Sequence, residues 1–450
     1  MLSAFSNSLK IPELRARIFF TLGLIFICRL LARVPTPGVD AVALRDLIAA
    51  LQTQAGGSML VLFNLFSGGA LQYAAVGALG IMPYISASII LQLMTAVVPA
   101  LERLAREGEA GRQTLSQYTR YLTVALCIIQ GYAMSATLWR PEALGLPAGT
   151  QIVTMGRMGF TLLTILTMTT GTMMLMWLGE QMTERGIGNG ISLIITINII
   201  SDLPSAVQAI VRMFVRVDGV AQFTIFHLVG LLAMIFLVIA GTIAVTQAQR
   251  KIPVQYAKRV VGRKVYGGQS TYMPLRVNYS GVMPIIFAQA ILMFPSKLLG
   301  MLPGEFFRRL AAAVYYGTPA YNVIYALMIL FFSYFWVATQ FNPVQIADDL
   351  KKYGGYVPGI RPGKPTAEFL DRTMTRITLA GAVFLTIIAV LPTIMAQQFN
   401  IPWIVASFFG GTSLLIMVGV MLDTMRQVES HLLMRHYDGF LKKGKLRSRR

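Results

Sequence analysis

The sequence predicts an all-α membrane protein of ten transmembrane helices, arranged as two inverted five-helix halves around a central pore. Three observations carry that expectation: only 13% of the 450 residues are charged, 55% are hydrophobic, and the apolar residues gather in long blocks. A water-soluble domain has about a quarter of its residues charged, and half that supply does not wet a chain of this length. Blocks such as 18–31, 160–178 and 225–245 approach or exceed the ~18 residues that cross a hydrocarbon core of ~30 Å at ~1.5 Å per residue. Helices satisfy their own backbone in lipid, and these runs are too long and continuous for barrel strands.

Apolar spans are expected at 18–34, 75–99, 121–139, 158–179, 190–211, 224–246, 280–302, 321–341, 376–396 and 402–423. The first runs into Arg29 and Arg33 and lacks a small-residue cleavage site, so it reads as a permanent helix rather than a removed leader. Those two arginines are expected to reach toward the outer interface. Ahead of the second span, 60–74 is also apolar, and adjacent Gly68 and Gly69 predict a break there.

The net charge of +20 fits either a nucleic-acid binder or a membrane protein whose inside loops are basic. Placement decides between them, because the cations lie between apolar blocks. With the N-terminus inside, 29 of the 39 Lys and Arg residues fall on inside loops and tails, and eight fall outside. That bias predicts both termini in the cytoplasm and an even number of spans. Ten spans divide into an N-terminal half, 1–211, and a C-terminal half, 212–423, followed by a basic tail at 424–450. Five spans per half gives opposite orientations, the pattern of an inverted repeat about a midplane pathway.

The spans hold few ionisable groups, which lowers the expectation of a proton- or ion-coupled pump. Neutral polar residues, notably Gln92, Gln130 and Asn278, stand there instead. No HExxH, GxSxG or P-loop motif occurs, and His227, His431 and His436 are scattered. Cys28 and Cys127 have neither disulfide-framework nor metal-ligand spacing. An enzyme and a metal or cofactor are therefore not expected, and any energy source must be another protein. A small-molecule permease remains the alternative to a larger cargo.

Two inside loops are too elaborate for simple connections. In 247–279, basic residues including Arg250, Lys258 and Arg259 alternate with Ile252, Val254 and Tyr256, which predicts a protruding hairpin. In 342–375, Gly354-Gly355 and Pro358-Gly359-Ile360-Arg361-Pro362-Gly363 predict turns that present Arg361 on a stiff tip. Such loops suit docking of a cytosolic partner. RNA phosphates on a ribosome would bind them in a salt-dependent way, and an acidic motor-protein surface would serve equally well.

The strings NLFSGGAL (64–71), GALGIMPYISASIILQL (77–93), EGEAGRQTLSQYTRY (107–121), GTMMLMWLGEQMTERGIGNGIS (171–192), YAKR (256–259), FNPVQIADDLKKYGGYVPGIRPGKPT (341–366) and FGGTSLLI (409–416) resemble the bacterial SecY family over essentially the whole chain. The resemblance implies the channel subunit of the Sec preprotein translocase in the bacterial plasma membrane. Implied partners are the small subunits SecE and SecG, the motor ATPase SecA, the ribosome, unfolded preproteins with their signal sequences, and the lipid bilayer. It also implies a pore ring of Ile81, Ile85, Ile191, Ile195, Ile286 and Ile416. Within the first two pairs the i, i+4 spacing puts both side chains on one helix face. A narrow apolar constriction dewets and blocks ions. The segment of about 64–75, with Asn64, Phe66, Ser67, Gly68 and Gly69, resembles the family's plug, whose glycines suit a mobile element. Gln92, Gln130 and Asn278 match a lateral gate that hydrogen bonds could close. Arg250, Lys258, Arg259 and Arg361 fall on the motor and ribosome contact loops.

Overall fold

The computed structural model describes residues 11–46, 64, 67–139, 152–214, 225–256, 259–261, 264–266, 270–289, 291–292, 304–306, 309, 318–398, 401–409 and 412–443. Among these, seven helices are long and apolar enough to cross a membrane, or eight if one sharply bent pair is a single span. The chain groups into two compact units. One holds residues 1–222, 402–408 and 416–450; the other holds 223–401 and 409–415.

In the first unit α1 runs over Pro12–Leu31 with its proline in the first turn, where a missing N–H costs nothing. Glu13, Arg15, Arg17 and Arg29 lie within α1, which keeps it outside the count of seven. A break follows. A short 3-10 turn at Leu71–Tyr73 leads to Ala74 in the left-handed conformation, and α2 then spans Met82–Val97. Val98 is extended before Pro99, as the residue ahead of a proline prefers, and α3 (Pro99–Arg106) leaves at 100° to α2. Next come α4 (Glu109–Trp139), α5 (Arg157–Arg185), α6 (Gly190–Ser201) and α7 (Leu203–Phe214). Helix α5 is the hub, packing against α1, α2, α4 and α6. Its Gly171 lets the chain at Val76 come so close that an added Cβ would lie 2.1 Å from the Val76 carbonyl oxygen.

The second unit begins with α8 (Ile225–Gln247). A hairpin follows, formed by β1 (Gln249–Tyr256) and β4 (Ser270–Arg276) in antiparallel register from Gln249↔Arg276 to Gln255↔Ser270. Between them β2 (Arg259–Val261) pairs with β3 (Lys264–Tyr266). A helical stretch over 283–289 comes next. Helix α9 (Pro319–Gln340) is capped by the Thr318 hydroxyl, which accepts the Tyr321 N–H at 3.2 Å. Helix α10 (Pro343–Lys352), strand β5 (Gly355–Tyr356) and the 35-residue α11 (Lys364–Gln398) complete the unit, with α11 against α8, α9 and α10. The chain closes with α12 (Trp403–Phe409) and α13 (Thr412–Lys443).

Large apolar side chains face outward on several helices: Phe26 is 64% exposed, Phe236 75% and Leu237 69%. Lipid, not water, is the solvent that tolerates this pattern.

Two expectations need correction. Helix α4 starts twelve residues before the expected 121, and α11 twelve before 376, because hydropathy marks only the lipid-facing stretch and helices continue through charged ends. The 342–375 loop holds more than turns. Asn342 accepts the Gln345 N–H at 3.2 Å and starts α10, and β5 adds to the free edge of β1, tying the two elaborate loops into one three-stranded sheet.

Candidate functional site

The Asn64 side chain begins a tightly bonded knot. Its Oδ1 accepts the Gln72 N–H at 3.1 Å and its carbonyl accepts the Gly69 N–H at 2.9 Å. The Ser67 hydroxyl donates to the Asn64 carbonyl at 3.0 Å and accepts the Leu71 N–H at 3.2 Å. Gly68 and Gly69 turn with φ of +66° and +81°, a region in which L side chains are strained. Asn64, Ser67, Gly68 and Gly69 are all buried, whereas Phe66 lies outside the described residues.

Arg29 departs from expectation. It is half-buried, and its Nη2 donates to the Gly68 carbonyl at 2.9 Å and its Nη1 to Asn198 Oδ1 at 3.3 Å. It turns into the first unit instead of reaching for the interface. Arg33, exposed, donates to the Tyr73 hydroxyl at 3.0 Å and sits 5.2 Å from that ring's centroid. The second arginine thus reaches the same segment from just beyond the end of α1.

Of the isoleucines, Ile81 sits one residue ahead of α2 as its N-cap and bonds through its carbonyl to the Ile85 N–H at 3.1 Å. Ile81, Ile85, Ile195, Ile286 and Ile416 are buried, with exposures of 7% or less, and Ile191 is half-buried near Gly179 of α5. Ile286 belongs to the second unit and the other five to the first. The start of α6 is fixed from several sides. Asn189 caps it by accepting the Ser192 N–H at 3.1 Å, the Gly190 N–H donates to the Thr183 hydroxyl at 2.9 Å, and the Gly188 N–H donates to Gln427 Oε1 at 2.9 Å. Ile191 and Ile195 therefore stand on a firmly anchored first turn.

Gln92 is exposed. Gln130 has its side-chain carbonyl oxygen buried without a hydrogen-bond partner. Asn278 is buried, and its Oδ1 accepts from the Ser280 hydroxyl at 3.3 Å.

On the loops, Arg250 is exposed on β1 opposite Leu275, and the Arg259 backbone pairs with Tyr266. Lys258 lies outside the described residues. Arg361 is exposed on a tip that is built, not loose: its carbonyl accepts the Thr366 hydroxyl at 2.8 Å, and Gly359 and Gly363 turn with φ of +82° and +100°. Beneath the tip, Ile252, Leu275, Val337, Phe341, Val357 and Leu370 form one apolar cluster, with Ile360 packed on it. The hairpin, the tip and the ends of two long helices thus share a foundation.

A SecY family model matches residues 75–425. The chain belongs to the SecY family. A SecY relative from Streptomyces scabiei, described as a protein translocase subunit, is 45% identical over 453 residues, covering 98% of this chain and all of the relative. Two solved structures share the fold. One is described as a protein conducting channel, with a TM-score of 0.60 at 18% identity, covering 92% of this chain and 91% of the other. The second is Sec61 in a canine ribosome-channel complex from the endoplasmic reticulum, with a TM-score of 0.56 at 16% identity and the same coverages. SecY proteins are channel subunits, not enzymes, and this chain is accordingly a multi-pass membrane protein without catalysis of its own.

Sequence reasoning missed two features of this SecY chain. One is the joining of the two loops through β5, for which a two-residue strand leaves no pattern. The other is the inward turn of Arg29, for which a signal existed: an arginine within an apolar span is a functional-site candidate by default.

Proposed function

We propose that the chain is the protein-conducting channel subunit of a Sec translocase, multi-pass in a bacterial plasma membrane with both termini in the cytoplasm. It passes unfolded secretory proteins across the bilayer and releases apolar segments laterally into lipid. The observation that carries this reading is the near full-length match to a relative described as a protein translocase subunit. Ten spans are supported by the eight apolar candidates, by the charged α1, and by the helical residues 283–289 and 291–292 in an apolar run of the sequence. The halves 1–211 and 212–423, in inverted orientation, and the tail 424–450 follow from the charge placement.

Within this reading Ile81, Ile85, Ile191, Ile195, Ile286 and Ile416 are the pore ring, and 64–75 is the plug. Gln92, Gln130 and Asn278 belong to the lateral gate; the unpartnered oxygen of Gln130 supports a role that needs a partner supplied on closure. Arg250, Lys258, Arg259 and Arg361 are docking residues for the motor SecA and the ribosome. SecE and SecG complete the complex. With no nucleotide-binding motif in the chain, the driving force comes from those partners.

Reconstitution tests the reading. The chain, co-purified with its small subunits and placed in vesicles with the motor and ATP, is expected to move a signal-bearing preprotein into a protease-protected lumen. Solute uptake with no protein passage would give the function to a permease instead.

A further inference from the structure

We infer that Arg29 is a two-position latch on the plug segment: it holds the segment in place through the Gly68 carbonyl, and pairs with Asp202 when the segment leaves. The inference rests on the channel reading and names a regulatory device of the same site.

The structure shows the held position. Arg29 bonds to Gly68 and Asn198 at 2.9 and 3.3 Å, and charged donors form bonds about twice as strong as neutral ones. A Cβ at Gly68 would lie 2.4 Å from Arg29 Nη1 and 2.6 Å from Asn198 Oδ1, so the contact leaves no room for a side chain. The other end of the segment is stitched by backbone to the last residue of α1 and the chain just after it. Thr36 donates to Ala74, Val76 to Val34 and Gly77 to Leu31, at 3.0, 2.8 and 3.1 Å. One end is therefore a pivot and the other is the fastened edge. Displacing residues 67–73 about that pivot must break the bond from Arg29 to Gly68.

Breaking it strips a half-buried guanidinium of a carbonyl inside the membrane, where an uncompensated charge is costly. Asp202 answers that need. It is 8% exposed at the C-terminal end of α6 and feels the charge of Arg29, but the two form no direct ion pair. Asn198 and Asp202 are four residues apart and share a helix face. The guanidinium can thus keep Asn198 and exchange the Gly68 carbonyl for the Asp202 carboxylate. That alternative partner makes release reversible instead of prohibitive.

The two ends of the exchange give variants of opposite sign. In vesicles holding the whole complex, Arg29→Met is expected to raise resting ion leak about tenfold or more, since a charged hydrogen bond is worth about that factor. It should also admit preproteins with defective signals. Asp202→Asn should leave the leak at or below the parent level and slow export of a normal preprotein several-fold, because the open state loses its counter-charge. Combined with Arg29→Met, Asp202→Asn should slow nothing further. An Asp202→Asn channel that leaks like Arg29→Met, or exports at the parent rate, overturns the latch. Should Arg29→Met fail to assemble, Asp202→Asn alone decides. The unvaried complex separates the two readings: if it exports no preprotein the channel reading falls, and if it exports while both variants match it only the latch falls.

Discussion

In the proposed ring, isoleucine at 81, 85, 191, 195, 286 and 416 offers a passing chain nothing to bind and offers water nothing to wet. Each side chain contributes several carbons, and a buried methylene is worth about 0.8 kcal/mol against water. Replacing Ile85 and Ile191 together with glycine is expected to raise resting ion conductance at least about tenfold; single-channel recording is the check, and an unchanged trace would remove both residues from the constriction. The proposed ring positions rest only on ordered motifs, because an isoleucine in a membrane helix looks the same whether it faces lipid, a neighbour or a pathway. Arg29 shows the opposite case. Its type and depth were plain in the sequence, but its direction depends on Gly68 and Asn198, 39 and 169 residues away along the chain. Distance from a span end cannot reveal which way around the helix a side chain points.

The helices themselves were the most readable level, since a run of apolar residues in lipid has one backbone solution. Their ends were not, because α4 and α11 extend through Arg112 and Arg372 into regions that hydropathy scores as loop. Packing between elements was also hidden. Gly171 sits in α5 among Thr and Met with nothing in the local pattern to mark it, yet the chain at Val76 lies against it. A methyl group there must push α5 away from the strand of chain that leads into α2. Gly171→Ala is therefore expected to destabilise the protein by about 1–3 kcal/mol. A lowered midpoint of thermal aggregation in detergent is the measurement, and an unshifted midpoint would mean that the two elements part easily.

For the molecule as a whole, composition, charge and hydropathy were enough for the class, and the motifs were needed for the cargo. The net charge of +20, much of it on the loops and tails read as cytoplasmic, predicts how the proposed contact with a ribosome responds to salt. Binding of ribosomes to vesicles holding the complex should fall by roughly an order of magnitude or more between 50 and 200 mM salt, if several phosphates are engaged; salt-insensitive binding would point to an apolar contact instead. Helix α11 adds a mechanical side. Its 35 residues make a rod of about 52 Å, whereas the hydrocarbon is about 30 Å thick. On the proposed reading, roughly two-fifths of that rod stands clear of lipid, with the Arg361 tip at its head. On that reading, a motor that leans on the tip pushes on the shorter, cytoplasmic arm of a helix whose longer arm lies inside the bilayer. Force applied in the cytoplasm is then expected to arrive among the spans along α11, as far as Pro392, where the helix loses a ladder hydrogen bond.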